Sequence, residues 1–167
     1  MQEITTPALV LARYPSSEKD LSVTLFTRDL GKISAKAISA QKMTSKLAGH
    51  LDVGFVSSVR IVEQNTVRVV DALRVDKKDF SLGDLLMLDR ILPLDIPELS
   101  LWKLLRHAEM FPWKETLKIL GWDPTNATCS NNHTSRVLFF HIESSSFLCD
   151  ACVEKRRLVV GEVIDCS

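Results

Sequence analysis

Residues 21–37 read LSVTLFTRDLGKISAKA, and this stretch decides the fold of the first part of the chain. Leu21, Val23 and Leu25 alternate with polar residues, which predicts a half-buried strand. Residues 28–31 predict a tight turn, because Gly31 follows a short polar run. A second alternation places Ile33, Ala35 and Ala37 inward and Lys32, Ser34 and Lys36 outward. The stretch therefore predicts two consecutive strands with an apolar face and a basic face.

Three further strands are predicted around this pair. Residues 8–13 form a short apolar run, and residues 53–63 and 67–75 form two longer strands that turn at residues 64–65. The polar segment 39–50 separates the third strand from the fourth. Five strands with a break after the third are typical of a small OB-type barrel. We therefore expect a five-stranded OB-fold barrel over residues 1–76.

After Asp76 the pattern becomes helical, so the fold class is α+β. Ser81 and Asp84 are spaced as a helix-capping pair, and Pro93 ends the helix that follows them. Pro97 and Pro112 are each placed to open a further helix. Residues 77–167 are thus predicted to form a small helical domain.

Two short pairs of potential ligands lie within this second domain: Cys129-x3-His133 and Cys149-x2-Cys152. Three thiolates and one imidazole suit Zn2+ in tetrahedral geometry. Four protein ligands leave no open position for water, so the predicted zinc is structural rather than catalytic. The alternative is that His133 is a polar loop residue and the cysteines are structural thiols.

Two further residues are weaker candidates as ligands. His141 lies in the apolar run 137–142, which predicts a strand between the two ligand pairs, and Cys166 lies beside the C-terminus. We expect His141 to be buried or at a sheet edge. The four-residue set Cys129, His133, Cys149 and Cys152 therefore remains the predicted site.

Several classes of protein are disfavoured by what the sequence lacks. No apolar run has the roughly 18–20 residues of a membrane span, and the N-terminus does not resemble a signal peptide. We therefore expect a cytoplasmic protein whose cysteines stay reduced, which favours metal over disulfides. No phosphate-binding glycine loop and no paired nucleophile and base are evident, so we expect no enzymatic activity.

Charge is unevenly distributed although the whole chain is neutral. Residues 1–75 hold 10 basic and 7 acidic side chains, and residues 28–46 hold five basic side chains against Asp29 alone. The candidate DNA contacts are Arg13, Arg28, Lys32, Lys36, Lys42 and Lys46. Basic side chains near an aromatic ring such as Phe26 are typical of single-stranded nucleic-acid binding. The alternative is a solvated strand face with Phe26 in the core, which we favour for Phe26 itself.

The order of these motifs resembles that of the bacterial recombination mediator RecO family. The similarity rests on five stretches: residues 8–13 (ALVLAR), 18–20 (EKD), 23–32 (VTLFTRDLGK), 45–51 (SKLAGHL) and 120–124 (LGWDP), the last leading into the first ligand pair. The resemblance implies an OB-fold domain followed by a helical domain with a zinc site, here in a shortened member. It also implies binding and annealing of single-stranded DNA. It further implies help in loading a recombinase filament onto DNA coated by single-strand-binding protein, with RecR as partner.

Two other functions remain open at this point. One is a protein-interaction adaptor that binds single-strand-binding protein or RecR but has lost DNA binding. The other is a zinc-dependent transcription factor that reads duplex DNA. The segment between the ligand pairs has Arg136 as its only basic residue, and no recognition helix is apparent there. We therefore expect the metal site to stabilise its domain rather than to contact DNA.

Overall fold

The computed structural model describes residues 2–41, 45–133 and 138–166. Its elements, in chain order, are β1 (Gln2–Pro15), β2 (Leu21–Thr27), β3 (Gly31–Ala37), a 3₁₀ turn (Ala48–His50), β4 (Phe55–Glu63), β5 (Val67–Lys77), α1 (Leu82–Ile91), α2 (Leu99–His107), α3 (Trp113–Ile119), β6 (Phe139–His141), β7 (Ser146–Leu148), α4 (Asp150–Arg156) and β8 (Val163–Asp165). Among the described residues, no helix has the length and apolar character needed to cross a membrane.

The five predicted N-terminal strands are present and are hydrogen-bonded in the order β1-β2-β3-β5-β4. Strand β1 is long enough to pair with β2 through its second half and with β4 through its first, which closes the sheet into a barrel. Between β3 and β5 the closure consists of one parallel pairing, Lys36 with Arg68. A long, bent first strand and a short parallel closure agree with the predicted OB-type arrangement.

The inside of the barrel is filled by the alternating apolar residues that the sequence indicates. Leu21, Val23 and Leu25 of β2 and Ile33 and Ala35 of β3 are all at most 6% exposed. Such alternation buries one face of each strand and leaves the other face for polar residues. The barrel core therefore follows directly from the period-two pattern of residues 21–37.

A segment from the second half of the chain completes the barrel wall. Leu94 forms a parallel bridge with Lys32, and the backbone N–H of Asp95 donates to the Lys32 carbonyl at 2.9 Å. This segment covers the part of β3 that β5 does not reach, so the edge of β3 is protected from pairing with another chain. Gly31 sits beneath it with φ +72°, and a Cβ there would lie 2.1 Å from the Ile96 carbonyl oxygen. Only glycine fits this position.

Helix α1 begins as the capping pattern predicts. The Ser81 hydroxyl oxygen accepts a hydrogen bond from the Asp84 backbone N–H at 3.0 Å, and it donates to the Asp84 carboxylate at 2.6 Å. The first bond satisfies a backbone N–H that a helix start leaves unpaired, and the second orients the Ser81 hydroxyl. The helix then packs on the barrel, with Leu85 and Leu88 buried.

The chain divides into two compact units, residues 1–102 and 103–167, so the division lies later than the predicted boundary after Asp76. The reason is that α1 and the first turn of α2 pack on the barrel. The Phe26 and Trp102 rings, for example, have their centroids 6.0 Å apart. Helices at this position belong to the barrel unit because they cover its apolar outer surface.

The second unit is not simply helical, which corrects the prediction of a small helical domain. It contains helices α3 and α4 and a three-stranded antiparallel sheet in the order β7-β6-β8. Strand β6 lies within the predicted run 137–142, of which residues 138–142 are described. Strands β7 and β8 are three residues long, which is too short to show an alternating pattern in the sequence.

Candidate nucleic-acid interface and metal centre

The second unit brings the four predicted metal ligands together. Cys129 and His133 flank a turn in which the Asn132 backbone N–H donates to the Cys129 carbonyl at 2.8 Å. Asn132 has φ +57°, a left-handed conformation that asparagine tolerates better than most residues. Cys149 precedes α4 and Cys152 lies in its first turn. The first turn of the helix therefore holds the second ligand pair in place.

The geometry of these four side chains fits a tetrahedral metal ion. Bonds of about 2.3 Å to sulfur and about 2.1 Å to nitrogen place tetrahedral ligand atoms about 3.6–3.8 Å apart. The Cys129 and Cys152 sulfurs are 3.6 Å apart. The His133 Nδ1 atom lies 3.2, 3.4 and 4.0 Å from the sulfurs of Cys152, Cys149 and Cys129. All the ligand atoms lie within 4.8 Å of one another, so this set could hold one metal ion.

The burial of the ligands suits a site that is closed to solvent on the thiol side. Cys129, Cys149 and Cys152 are at most 2% exposed, whereas His133 is exposed. The Asn131 side-chain amide donates to the Cys152 sulfur at 3.1 Å. This bond lowers the pKa of Cys152, but burial and the neighbouring thiols outweigh it and raise that pKa. A cation at the centre favours the thiolates and reverses this penalty.

Asn131 is a candidate site residue that the sequence analysis missed. Amide hydrogen bonds to metal-binding thiolates orient the ligands and stabilise their charge. An asparagine between the ligands of the first pair was a signal for such a role, although asparagine is equally common in turns without a metal.

The two weaker candidates are not part of the ligand cluster. His141 is 7% exposed and its Nδ1 atom lies 2.6 Å from the Ser144 hydroxyl, which confirms the expectation that it is buried. The Cys166 thiol donates to the Ile164 carbonyl, and burial raises the pKa of this thiol to about 11. A thiol with such a pKa is protonated and unreactive at neutral pH.

The barrel unit separates the predicted basic residues into different environments. Lys32 and Lys36 lie on the same outer face of β3, as predicted. However, the Lys32 ammonium donates to the Asp89 carbonyl and lies 3.4 Å from the Asp89 carboxylate, and its side chain is 12% exposed. Lys32 is therefore engaged with α1 rather than open to an anionic ligand.

Arg28 and Arg13 are also paired within the barrel unit. The Arg28 guanidinium donates to the Asp29 carboxylate at 2.9 and 3.1 Å. Arg13 forms an ion pair with Asp52 and donates to the Ala48 carbonyl at 3.2 Å. Both remain partly exposed, but each positive charge is compensated by a neighbouring carboxylate.

Phe26 is completely buried, which confirms the interpretation that it is not a stacking platform. It lies on the outer face of β2, whereas its chain neighbour Leu25 points into the barrel. Trp102 covers the Phe26 ring. Helices α1 and α2 thus cover the end of the β2–β3 face that carries Phe26 and Lys32. The other end of this face carries Ser22 and Lys36.

Lys36 and Lys46 are exposed and form no ion pair with any described carboxylate. Lys42, the remaining candidate DNA contact, lies outside the described residues. The chain on either side of β2–β3 is held together near Lys36, because the Gln41 side-chain amide donates to the carbonyls of Ser17 and Asp20. The loop before β2 and the segment after β3 therefore meet at the uncovered end of the face.

The register of the barrel reveals a row of side chains that spacing alone does not. Tyr14 lies opposite Ser22, Ser22 opposite Lys36, and Lys36 opposite Arg68. We call Tyr14, Ser22, Lys36 and Arg68 the cross-strand row; with strands about 4.8 Å apart it spans about 14 Å. Tyr14 is 51% exposed, and Lys36 and Arg68 are exposed. An exposed aromatic ring in the same row as two cations matches the chemistry of single-strand binding.

Tyr14 and Arg68 were missed because they are far from residues 28–46 in the sequence. The loop 16–20 separates Tyr14 from β2, and β4 lies between β3 and Arg68. The pairing of β3 with β5, which is a feature of OB-type barrels, was the signal that could have found Arg68.

Comparison with known protein families identifies the kind of domain that the barrel forms. Residues 1–75 match the family model described as the recombination protein O N-terminal domain. Comparison with proteins of curated function gives no match. The matched residues are those that form the five-stranded barrel and its cross-strand row. The barrel is therefore similar to the N-terminal domain of the recombination protein O (RecO) family.

Proposed function

We propose that this protein is a recombination and repair mediator that binds single-stranded DNA through the cross-strand row of its barrel. The observation that carries the proposal is that the residues matching the RecO N-terminal domain also present an uncovered row of Tyr14, Lys36 and Arg68. Phosphates bind to the two cations and a base stacks on the Tyr14 ring. The contact is independent of sequence because every base has an aromatic face.

The exposed lysines near the row extend the proposed interface. Lys19 lies in the loop between β1 and β2, and its carbonyl accepts the Gln41 backbone N–H at 3.0 Å. Lys46 follows in the segment after β3. DNA bound across the row would pass close to Lys19, and Lys46 would follow its backbone. Arg13, Arg28 and Lys32 are left as contributors to the general positive field, because each already has a carboxylate partner.

We further propose that the cluster Cys129, His133, Cys149 and Cys152 binds a structural Zn2+ ion. Three thiolates and one imidazole at tetrahedral separations are a donor set that this ion prefers. Bound there, the ion would supply cross-linking rather than chemistry, because four protein ligands complete its coordination. In this proposal the protein acts without catalysis.

The proposed cellular role is the one that the family suggests. The protein would anneal complementary strands and help load a recombinase onto DNA coated by single-strand-binding protein, with RecR as a partner. Support for this role comes from the N-terminal domain match. The DNA contact is the part of the proposal that the geometry of the row allows to be tested residue by residue.

The test is a titration of the full chain with a fluorescent oligo-dT strand over a series of salt concentrations. Replacing both Lys36 and Arg68 by glutamine removes two phosphate contacts. The slope of log affinity against log salt should therefore fall by about 1.4, since each contact on a single strand contributes about 0.7. Tyr14→Ala should weaken binding by about 1–3 kcal/mol through the loss of stacking.

The matched control is the double variant Arg60→Gln with Lys77→Gln, which removes the same charge from barrel positions outside the cross-strand row. Arg60 pairs with Glu3 and Lys77 lies near Asp79, so both charges are already compensated. Equal effects of the two double variants would overturn the proposed interface. A wild-type protein that binds single-strand-binding protein or RecR but no DNA would instead favour the adaptor function.

A further inference from the structure

A cleft of about 400 Å³ lies directly beside the metal ligands. It is lined by Asn131, His133, Cys152, Lys155 and Arg156. None of the described residues that line it is acidic, and Lys155 and Arg156 are exposed on the last turn of α4. Neither forms an ion pair with a carboxylate in the part of the chain that the structure describes. The cleft is therefore a concentration of positive charge that a metal-stabilising role does not require.

Basic residues that are scarce between the ligand pairs are abundant just after the second pair. Lys155, Arg156 and Arg157 are consecutive, and they follow Cys152 by one helical turn. The Arg156 guanidinium lies 3.5 Å from the Asn131 side-chain oxygen, while the Asn131 amide donates to the Cys152 sulfur. Asn131 thus connects the arginine to the metal ligands and keeps it at the cleft.

The metal would also orient a hydrogen-bond donor in the cleft. His133 presents its Nδ1 atom to the three sulfurs, so Nδ1 is the atom that would bind the ion. The proton of the neutral ring then lies on Nε2, on the opposite edge of the imidazole. Because His133 is exposed and lines the cleft, this edge is available to an external acceptor.

We infer that this cleft is a second contact for single-stranded DNA, which binds phosphate groups beside the metal ion. The donors are an ammonium, a guanidinium and an imidazole N–H, which together match the oxygens of a phosphate. An acidic, apolar peptide fits less well, because no aliphatic or aromatic residue is among the described residues that line the cleft. The inference rests on the proposed function and adds a DNA contact on the unit that carries the metal.

The test uses the full chain, loaded with zinc, in the same oligo-dT titration. Replacing Lys155 and Arg156 by glutamine should weaken binding several-fold and lower the salt slope by about 1.4. The matched control is Lys114→Gln with Lys118→Gln. It removes two exposed positive charges from α3 in the same unit but away from the cleft. Equal effects of the two double variants would overturn the inference.

A second variant separates DNA binding from the integrity of the metal site. His133→Cys offers four thiolates, a set that also binds Zn2+, but it lacks the imidazole N–H. We expect full zinc content by elemental analysis and a DNA affinity reduced by about two- to fivefold, as for the loss of one hydrogen bond. Full zinc content with wild-type DNA affinity would overturn the role of His133 and with it the metal dependence of the cleft.

The cleft and the cross-strand row are tested independently. If Lys36→Gln with Arg68→Gln weakens binding while the cleft variant behaves as its control, the proposed function stands and the further inference fails. If no variant or wild-type protein shows salt-dependent binding, both fail. A labelled poly-glutamate peptide whose binding is lost in the cleft variant, with DNA binding unchanged, would also overturn the inference in favour of an acidic protein partner.

Discussion

The two units of this protein are stabilised in different ways. The barrel core is a cluster of fourteen buried apolar residues contributed by its strands and by the segments around them. The buried cluster at the metal ligands has four members, of which three are the cysteines Cys129, Cys149 and Cys152. Apolar burial contributes about 25 cal/mol per Å², so a large core can stabilise a fold by itself. A cluster made mostly of thiols depends on what the thiols bind.

The same contrast applies to their polar surfaces. On the barrel, the face that could bind DNA is divided, because α1 and α2 cover the end with Lys32 and leave the end with Lys36 exposed. In the second unit, the cationic side chains lie next to the ligands themselves. Loss of metal is therefore expected to affect both the fold and the surface of the second unit. It should affect neither the fold nor the surface of the barrel.

Removal of the metal is expected to have the largest effect. Structural zinc contributes about 10–16 kcal/mol to the folding of small zinc modules. Elemental analysis of protein purified without added zinc should give one zinc per chain. A strong chelator should then abolish the protection of amide hydrogens in residues 129–133 and 146–156, while those of the barrel strands stay protected. Hydrogen exchange measured by mass spectrometry checks both regions at once.

Cys166→Ser is the control for this experiment, because Cys166 is buried but is not one of the ligands. It should retain one zinc per chain. If amide hydrogens in both units stay equally protected after chelation, the two units do not differ in their dependence on metal. The second unit would then be stable through its apolar contacts alone.

Gly31→Ala should have the next largest effect, and it acts on the barrel alone. Alanine at φ +72° is strained, and its Cβ would meet the backbone of Ile96. We expect a loss of more than about 2 kcal/mol in the free energy of unfolding, from backbone strain and the displaced segment together. Urea denaturation followed by circular dichroism measures it, and zinc content should be unchanged. Gly49→Ala, where a Cβ meets no atom, is the matched control and should leave stability nearly unaffected.

The smallest predicted effect concerns Asp29, at the polar edge of the barrel. The Arg28 guanidinium and the Thr6 hydroxyl hydrogen-bond to this carboxylate and lower its pKa below the ordinary 3.8. A lowered pKa in the folded state stabilises the protein above pH 3.8, and the stabilisation is lost as the pH falls through the folded value. At pH 6, Asp29→Asn should therefore be less stable by no more than about 1 kcal/mol, because the pair is partly exposed.

The difference between wild type and Asp29→Asn should shrink as the pH is lowered below 3.8. Urea midpoints at pH 6 and pH 3 measure it, with Glu18→Gln as a control for the loss of one carboxylate from an exposed loop. A difference that is the same at both pH values would show that Asp29 acts through packing rather than charge. In that case the charge of Asp29 would add nothing to the stability of the barrel, which would depend on its apolar core.

The sequence by itself predicts the parts of this architecture that depend on residues close together in the chain. The alternation in residues 21–37 identifies two strands and their buried face, and the spacing of Ser81 and Asp84 identifies the start of α1. The two ligand pairs identify the metal cluster, because a tight turn brings each pair together over only four or five residues. These features are local, so short-range geometry determines them.

What only the tertiary structure decided are the contacts between residues far apart in the chain. Lys32 and Lys36 look equivalent in the sequence, yet Asp89, which is 57 residues away from Lys32, engages one and leaves the other exposed. Tyr14, Lys36 and Arg68 become neighbours through strand register, and Asn131 meets Arg156 across the metal ligands. The alternation of a strand determines which face a side chain joins. The packing of distant segments determines which residues of that face remain available to a ligand.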